Sequence, residues 1–177
     1  MVRIAAAGAL GASRNPEVID VLRCLADDED PNVRAAAVRA AGNRFDLDDD
    51  VDETSAALTL IDAALEDEAV VALAGVDALR GLGGRGAERL LRVVGRSEPE
   101  LVQEAVRGIG ESGDGPALEA LLPLISHPDW TVRAETIQAL AERGVVKAVP
   151  AILRRLETEQ DDFVRETTLR ALDRLEG

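Results

Sequence analysis

The stretch Asp30-Pro31-Asn32-Val33-Arg34 decides the fold, because two later stretches of the chain repeat its pattern. They are Asp129-Trp130-Thr131-Val132-Arg133 and Asp161-Asp162-Phe163-Val164-Arg165. After each one, Ala and Leu recur at the three- and four-residue spacing of one helix face. A phrase that opens successive amphipathic segments indicates an array of similar helical units.

The acid that opens each copy is expected to cap a helix. An Asp side chain accepts hydrogen bonds from the unpaired amides of the first turn, and its charge suits the positive end of the helix dipole. Pro31 and Pro99 follow at the first helical position, where the missing N–H costs nothing. In one copy, Ser97 and Glu100 offer a capping box as an alternative start. The copies open at Asp30, Glu68, Glu98, Asp129 and Asp161, with spacings of 38, 30, 31 and 32 residues.

The repeats predict two alternating sets of helices, which we call A and B. The B helices follow the phrase and span about 2–11, 31–43, 69–82, 99–111, 130–143 and 162–175. The A helices lie between them. The first starts at Asn15-Pro16-Glu17 and the others span about 53–66, 86–95, 116–126 and 146–158. The predicted organisation is a single domain, 1–177, with an orphan helix at 2–11 and A/B pairs at about 15–43, 52–83, 86–113, 115–144 and 146–177.

Proline and glycine positions refine these boundaries. Pro123 is expected to kink or shorten the fourth A helix, because an interior proline removes a backbone hydrogen bond. Glycines near the ends of the B helices are expected to close them in the left-handed conformation, which costs glycine little. These glycines are Gly11, Gly42, Gly83, Gly113 and Gly144.

Composition limits both the core and the partners. Aromatic residues make up 2% of the chain, so the core must consist of Ala, Leu, Val and Ile, which suits closely packed helices. The net charge of −14 opposes binding to a phosphate backbone, so we expect no nucleic-acid partner. The single cysteine, Cys24, lies in an apolar run and is expected to be buried. No apolar run reaches the roughly 18 residues of a membrane span and no leader-like segment is present, so we expect a cytoplasmic protein without membrane contact.

The motif Asp-x-x-Val-Arg-x-x-Ala at the start of the B helices, with an Ala-Leu pair late in them, resembles the HEAT repeat. The short spacing is similar to the subtype named after phycobilisome lyase subunits. The resemblance covers essentially the whole chain. It implies an all-α, right-handed α-solenoid of about eleven helices, with B helices on the concave face and A helices on the convex face.

Counting the opening acid of each copy as position zero, the resemblance also implies a ladder of ion pairs between the arginine at position four and acidic caps of its own or neighbouring repeats. In this chain the ladder falls on Arg34, Arg133 and Arg165, with Asp30, Asp129 and Asp161 as partners. It also includes Arg3, which belongs to a truncated copy at the start of the chain. The middle copies depart from the pattern, because position four is Ala72 in one and Val102 in the other. Either those repeats pack more apolarly, or their surface serves another purpose.

No catalytic or metal-binding constellation emerges, and we expect neither an enzyme nor a bound cofactor. His127 is the only histidine, so a centre with several histidine ligands cannot be assembled. The glycine-rich segment 81–86 follows no predicted strand, so a turn between helices is favoured over a phosphate-binding loop. Alternating aspartates in the segment 46–50 are similar to a calcium loop, but Val51 and Ala57 replace its required Gly and Glu.

Exposed positions on the B helices are the candidate binding surface. Arg39, Arg107 and Arg170 share position nine and are predicted to bind the carboxylates of an acidic segment in forked geometry. The alternative is an ordinary solvated face of mixed charge. Trp130 either anchors a partner or covers the loop beneath it. The candidate partner-binding residues are Arg39, Asp77, Arg80, Gln103, Arg107, Trp130, Gln138 and Arg170.

The predicted function is a non-catalytic scaffold that binds a protein or peptide partner on the concave face. The alternative is a subunit of a bilin lyase or another chromophore-handling enzyme, which needs a partner subunit and a chromophore groove. A glycosylase built from HEAT-like repeats would need a cationic, aromatic groove, which the composition opposes. Because the chain starts inside a repeat, a longer solenoid or end-to-end self-association is also expected.

Overall fold

A computed structural model describes residues 2–13, 15, 17–46 and 51–176. Within these residues the chain forms eleven α-helices and no β-strand, so the fold is all-α and belongs to the α-solenoid class. Short 3-10 turns occupy Asn43–Asp46, Leu122–Ser126 and Val146–Ala148. The α-helices are α1 (Val2–Leu10), α2 (Val18–Ala26), α3 (Pro31–Gly42), α4 (Val51–Ala64), α5 (Ala69–Arg80), α6 (Gly84–Leu90), α7 (Pro99–Ser112), α8 (Gly115–Glu119), α9 (Trp130–Glu142), α10 (Val149–Thr158) and α11 (Asp162–Glu176).

The chain divides into two compact units, Met1–Leu82 and Gly83–Gly177. In the first unit the B helices α1, α3 and α5 pack in sequence, and the A helices α2 and α4 pack against them. In the second unit the B helices α7, α9 and α11 pack in sequence, with α6 against α7 and α10 against α11. Each unit therefore repeats the predicted alternation of A and B helices. The organisation of both units as one domain stays a prediction.

Neighbouring B helices approach closely because small side chains face each other. A Cβ atom added to Gly42 at the end of α3 would lie 2.6 Å from Cβ of Ala78 on α5. In the second unit, a Cβ atom added to Gly110 on α7 would lie 2.8 Å from Cβ of Ala139 on α9. These distances are shorter than a van der Waals contact, so only glycine fits.

The left-handed conformation predicted for the terminal glycines holds at two of them. Gly83 and Gly144 have φ angles of 59° and 64°, and no other described residue has a positive φ. The prediction is wrong for Gly11, Gly42 and Gly113. Gly11 and Gly42 pack closely against a neighbouring B helix, and Gly113 has an extended backbone after α7.

The aspartates cap their helices as the sequence predicts. Asp30 and Asp129 accept hydrogen bonds from the second amide of their helices, at 2.9 and 2.8 Å, and Asp161 accepts one from the Val164 amide at 3.0 Å. The longer Glu68 and Glu98 make no side-chain cap.

The alternative capping box in the copy at Glu98 does not form. The Ser97 hydroxyl instead donates to the Glu98 carboxylate at 2.9 Å, and Arg96 pairs with that carboxylate at 2.6 Å. Because Ser97 and Arg96 hold the Glu98 carboxylate, it does not accept hydrogen bonds from the first amides of α7.

The A helices other than α4 are shorter than predicted, whereas α4 has the predicted length. The fourth is α8, which ends at Glu119 and continues as a 3-10 turn that contains Pro123. The expected shortening by Pro123 is confirmed. The prediction that Cys24 is buried is wrong, because Cys24 is exposed on α2. The buried stripe of α2 consists of Val18, Ile19 and Leu22, and two residues beyond Leu22 a helix faces the opposite side.

The position-four arginines of the first unit lie on B helices and bind acids that precede the next B helix along the chain. Nε of Arg34 donates to Oδ2 of Asp67 at 2.8 Å, and its Nη2 atom lies 2.6 Å from Oε1 of Glu68. Arg34 also donates to the carbonyl oxygen of Asp28 at 2.9 Å. Arg3 pairs with the Asp28 carboxylate at 3.0 Å. These contacts tie each loop between an A and a B helix to its neighbour.

The corresponding contact in the second unit is a buried cluster of two arginines and one carboxylate. Arg133 donates from Nε and Nη2 to the two oxygens of Glu159, at 2.7 and 2.8 Å. Arg155 donates to the same carboxylate at 2.8 Å. Arg165 takes no carboxylate and instead donates to backbone carbonyls, including that of Glu159 at 3.0 Å. The Glu159 side chain is 1% exposed, so water does not weaken these contacts.

The predicted pairing with Asp30, Asp129 and Asp161 is wrong, because those aspartates accept hydrogen bonds from amides of their own helices. The broader expectation of a contact with the opening acid of a neighbouring copy holds for Arg34, which binds Glu68. Ala72 and Val102, which replace the arginine in the middle copies, are fully buried. Apolar packing takes the place of the ion pair there.

Replacing Gly42 by alanine should destabilise the protein by about 1–3 kcal/mol, because the new methyl group overlaps Ala78 and forces α3 and α5 apart. Urea denaturation measures the change in the free energy of unfolding. Gly8→Ala is the matched control in the same unit. Gly8 is exposed within α1 with no atom within 4 Å of an added Cβ, so alanine should stabilise the helix by about 0.5–1 kcal/mol. Equal effects of the two substitutions would contradict the close contact.

Replacing Glu159 by glutamine should destabilise the second unit by about 3 kcal/mol at neutral pH, because Arg133 then remains buried without a counter-charge. Burial alone raises the pKa of Glu159, but hydrogen bonds from Arg133 and Arg155 outweigh it and lower the pKa from 4.5 to about 2. The carboxylate thus releases its proton more readily in the folded chain than in the unfolded chain. Its contribution to stability is complete above pH 4.5 and decreases as the pH falls toward 2.

Denaturation midpoints measured between pH 2 and pH 7 check this prediction, and Glu159→Gln should flatten the acid limb of the profile. Glu98→Gln is the control, because hydrogen bonds from Arg96 and Ser97 lower the pKa of Glu98 to about 2 as well. The Glu98 side chain is 36% exposed, so its loss should cost much less stability than the loss of the buried Glu159 carboxylate. If both variants lose the same stability, burial is not what strengthens the Glu159 cluster.

Candidate functional site

The predicted partner-binding residues lie on B helices in both units. The first unit carries Arg39 on α3 and Asp77 and Arg80 on α5. Arg39 and Asp77 are exposed, and Arg80 is half-buried as the last residue of α5. The remaining residues lie in the second unit, whose contacts define a candidate site. They are Gln103 and Arg107 on α7, Trp130 and Gln138 on α9, and Arg170 on α11.

Arg107 makes the forked carboxylate contact that the sequence predicts, but the carboxylate belongs to the chain itself. Its Nε and Nη2 atoms donate to the two oxygens of Glu135 on α9, at 3.2 and 2.9 Å. Its Nη1 atom donates to Glu104 at 2.6 Å, and Gln103 adds a 3.4 Å contact to Glu135. The hydrogen bonds to Glu135 raise the pKa of Arg107. Arg107 therefore joins α7 to α9 and is not a free site for an external carboxylate.

A groove of about 220 Å³ lies between α9 and α11 on the exposed side of the B helices. Gln138 lines it from α9 and donates to Glu142 at 3.0 Å. Arg170 lines it from α11, and its guanidinium is 3.9 Å from the carboxylate of Glu166, which is too long for a hydrogen bond. The exposed Arg174 lies one turn further along α11 and also lines the groove. The groove thus combines an amide, two guanidiniums and a carboxylate.

Thr167 also lines this groove and is 7% exposed. Its hydroxyl oxygen has no hydrogen-bond partner among the described residues. A buried polar atom without a partner costs about 1–3 kcal/mol.

The predicted binding residues did not include Glu135, Thr167 and Arg174, which take part in these contacts or line the groove. Glu135 and Thr167 share position six of their repeats, next to the small core residue at position seven. Arg174 at position thirteen is one turn beyond the position-nine row, and this spacing could have identified it.

Trp130 lies on the surface in the first turn of α9, where its side chain is 45% exposed. It contacts Phe163 on α11 edge-on, with ring centroids 5.8 Å apart and an interplanar angle of 76°. The Phe163 side chain is 53% exposed, and the sequence prediction did not include it in the site. A second groove, of about 620 Å³, lies beside Trp130.

No group of three or more metal-ligating side chains occurs among the described residues. The acidic segment that is similar to a calcium loop includes residues 47–50, which lie outside the described part of the chain. His127 has a structural contact, because its Nδ1 atom accepts a hydrogen bond from the Asp129 amide at 3.1 Å. None of the helices in the described ranges is both long and apolar enough to span a membrane.

Several solved structures have a similar fold. An engineered protein from a structural genomics consortium is 22% identical, with a TM-score of 0.62 over 98% of this chain and 91% of that one. A designed armadillo repeat protein in complex with the peptide (KR)4 is 19% identical, with a TM-score of 0.61 over 97% and 91% of the two chains. Human deoxyhypusine hydroxylase, in complex with glycerol, is 18% identical, with a TM-score of 0.58 over 99% and 79%. At these identities the similarity establishes the fold alone.

Sequence comparison identifies the family. No curated protein matches the chain. A family model described as HEAT repeats matches residues 1–80 and 87–173, which include the repeated helix pairs of both units. The chain therefore belongs to the HEAT-repeat family.

Proposed function

We propose that this chain is a non-catalytic scaffold that binds a protein or peptide partner on the exposed face of its B helices, which is the concave face of a HEAT solenoid. The spacings of 30 to 32 residues between its later repeats also favour the short subtype named after phycobilisome lyase subunits.

The groove between α9 and α11 carries this proposal. Its volume of about 220 Å³ is below the roughly 300 Å³ at which small-molecule sites begin, but it can accept one side chain of a peptide. Adjacent B helices in a repeat array present their exposed positions side by side, so an extended partner can contact successive helices. A designed armadillo repeat protein of similar fold is in complex with a peptide, which supports a partner of this kind.

The chemistry of the groove favours hydrogen bonding to a peptide. Gln138 can donate and accept, Arg170 and Arg174 donate, and Glu142 accepts. This mixture suits backbone amides and polar side chains better than a purely acidic segment. Arg107 does not contribute a free guanidinium, because Glu104 and Glu135 already bind it.

Site-specific photocrosslinking in a native lysate tests where a partner binds. We expect a benzoylphenylalanine side chain at position 138 or 170 to yield a crosslinked product of defined mass, because both positions border the groove. The same group at Arg154 or Glu157, which are exposed on the A helix α10, should yield none. Crosslinks only from α10 would contradict the B-helix face.

The affinity of the crosslinked partner then tests the groove itself. The double variant Arg170→Ala with Arg174→Ala should weaken binding by about 1–2 kcal/mol, since arginines are enriched among interface residues that dominate binding energy. Arg154→Ala is the matched control, because it removes one exposed arginine of the same unit outside the groove. Isothermal titration calorimetry measures the difference, and equal affinities for all three proteins would exclude the groove.

A further inference from the structure

Two aromatic side chains, those of Trp130 and Phe163, lie on the surface rather than in the core. The chain contains three aromatic residues, Phe45, Trp130 and Phe163, and the last two meet in the first turns of α9 and α11. Both remain about half exposed in this contact. An aromatic pair left in water does not strengthen a core, whereas exposed tryptophan is enriched at the centres of protein interfaces.

The groove beside Trp130 is lined by charged side chains of both signs. Its two guanidiniums, on Arg133 and Arg155, both donate to Glu159, so the chain itself neutralises most of their charge. Asp129 and Asp161 border the groove as well. With three carboxylates against two guanidiniums, the lining has a formal charge of −1.

The two helix caps have acceptor capacity for an additional donor. Asp129 accepts from both the amide and the hydroxyl of Thr131, and Asp161 accepts from the Val164 amide, in each case through Oδ1. The Oδ2 atoms carry further lone pairs that these bonds do not use. Hydrogen bonding to Thr131 lowers the pKa of Asp129, so this carboxylate stays charged at neutral pH.

The net charge of the chain indicates which kind of group the groove beside Trp130 attracts. The net charge of −14 attracts cations to the whole molecule and repels acidic segments. An ammonium or guanidinium group is attracted to the face of a tryptophan ring, and the flat guanidinium also stacks on it. A lysine- or arginine-rich segment therefore fits both the ring and the carboxylates.

We propose that the groove beside Trp130 binds a basic segment of a partner protein, whose lysine or arginine side chain packs on Trp130 and pairs with Asp129 and Asp161. This site is separate from the groove of the proposed function. Gln138 lies eight residues beyond Trp130, which is about 12 Å along α9. The proposal shares with the proposed function only the assumption of a protein partner, and it can fail or succeed independently.

Trp130 is the only tryptophan of the chain, so its fluorescence reports directly on this site. We expect hexa-arginine to change the Trp130 emission saturably at low ionic strength, with weaker binding as sodium chloride is added. Hexa-lysine should also bind, with lower affinity because its ammonium groups do not stack. Hexa-glutamate should cause no saturable change. A saturable response to hexa-glutamate, or none to either basic peptide, would overturn the proposal.

Single-residue variants separate a specific site from attraction by the overall charge. Asp161→Asn removes one charge but keeps the cap, because asparagine caps helices as well as aspartate. It should raise the dissociation constant for hexa-arginine about fivefold. The control is Asp114→Asn, since Asp114 caps α8 of the same unit in the same way, with its carboxylate accepting from Ala117, and does not line the groove. Equal changes in the two variants would mean that only the net charge attracts the peptide.

Phe163→Ala tests the aromatic pair and leaves the reporting tryptophan in place. Phe163 is half exposed, so its removal should leave the fold intact, which circular dichroism checks. The free Trp130 ring would lose its edge contact and its fixed orientation, and hexa-arginine affinity should fall by about threefold. An unchanged affinity for hexa-arginine would show that the contact between Trp130 and Phe163 does not contribute to binding.

Discussion

Neighbouring B helices approach each other through contacts between glycine and alanine, and the rest of the structure depends on this closeness. Gly42 faces Ala78, and Gly110 faces Ala139, at distances that no larger side chain allows. Close helices leave little volume between them, so Ala, Val, Leu and Ile fill the described core of each unit. Trp130 and Phe163 lie on the surface instead. The small-residue contact thus explains both the composition of the core and the exposed pair Trp130 and Phe163.

The same closeness brings the loops between A and B helices within reach of arginine side chains. Arg34 and Arg133 each bind a carboxylate in the following repeat and backbone carbonyls in their own loop. Such contacts hold successive repeats in register. They also place paired charges of both signs inside the second unit, since Arg133 and Glu159 are both buried.

Two surfaces of the second unit result from this arrangement, and they have different chemistry. The groove between α9 and α11 is small and mixed in charge, and it suits polar groups of a peptide. The groove beside Trp130 is larger and combines an aromatic face with carboxylates. Both use residues of α9, at its first turn and two turns later, and an extended segment of about four residues is as long as the roughly 12 Å between Trp130 and Gln138 along this helix.

The sequence by itself determined the helix pairs, their spacing and most of their starts, because these depend on residues close together in the chain. Asp30 and Asp129 cap helices through amides two residues away, and Pro123 shortens its helix through its own ring. Tertiary structure alone decided which acid each arginine binds. Arg34 pairs with Asp67 and Arg107 with Glu135, each about thirty residues away, and only the packing of repeats brings these side chains together. The exposure of Cys24 and the role of Gly42 as a contact residue were decided in the same way, because the side of a helix that is covered depends on which neighbour packs against it.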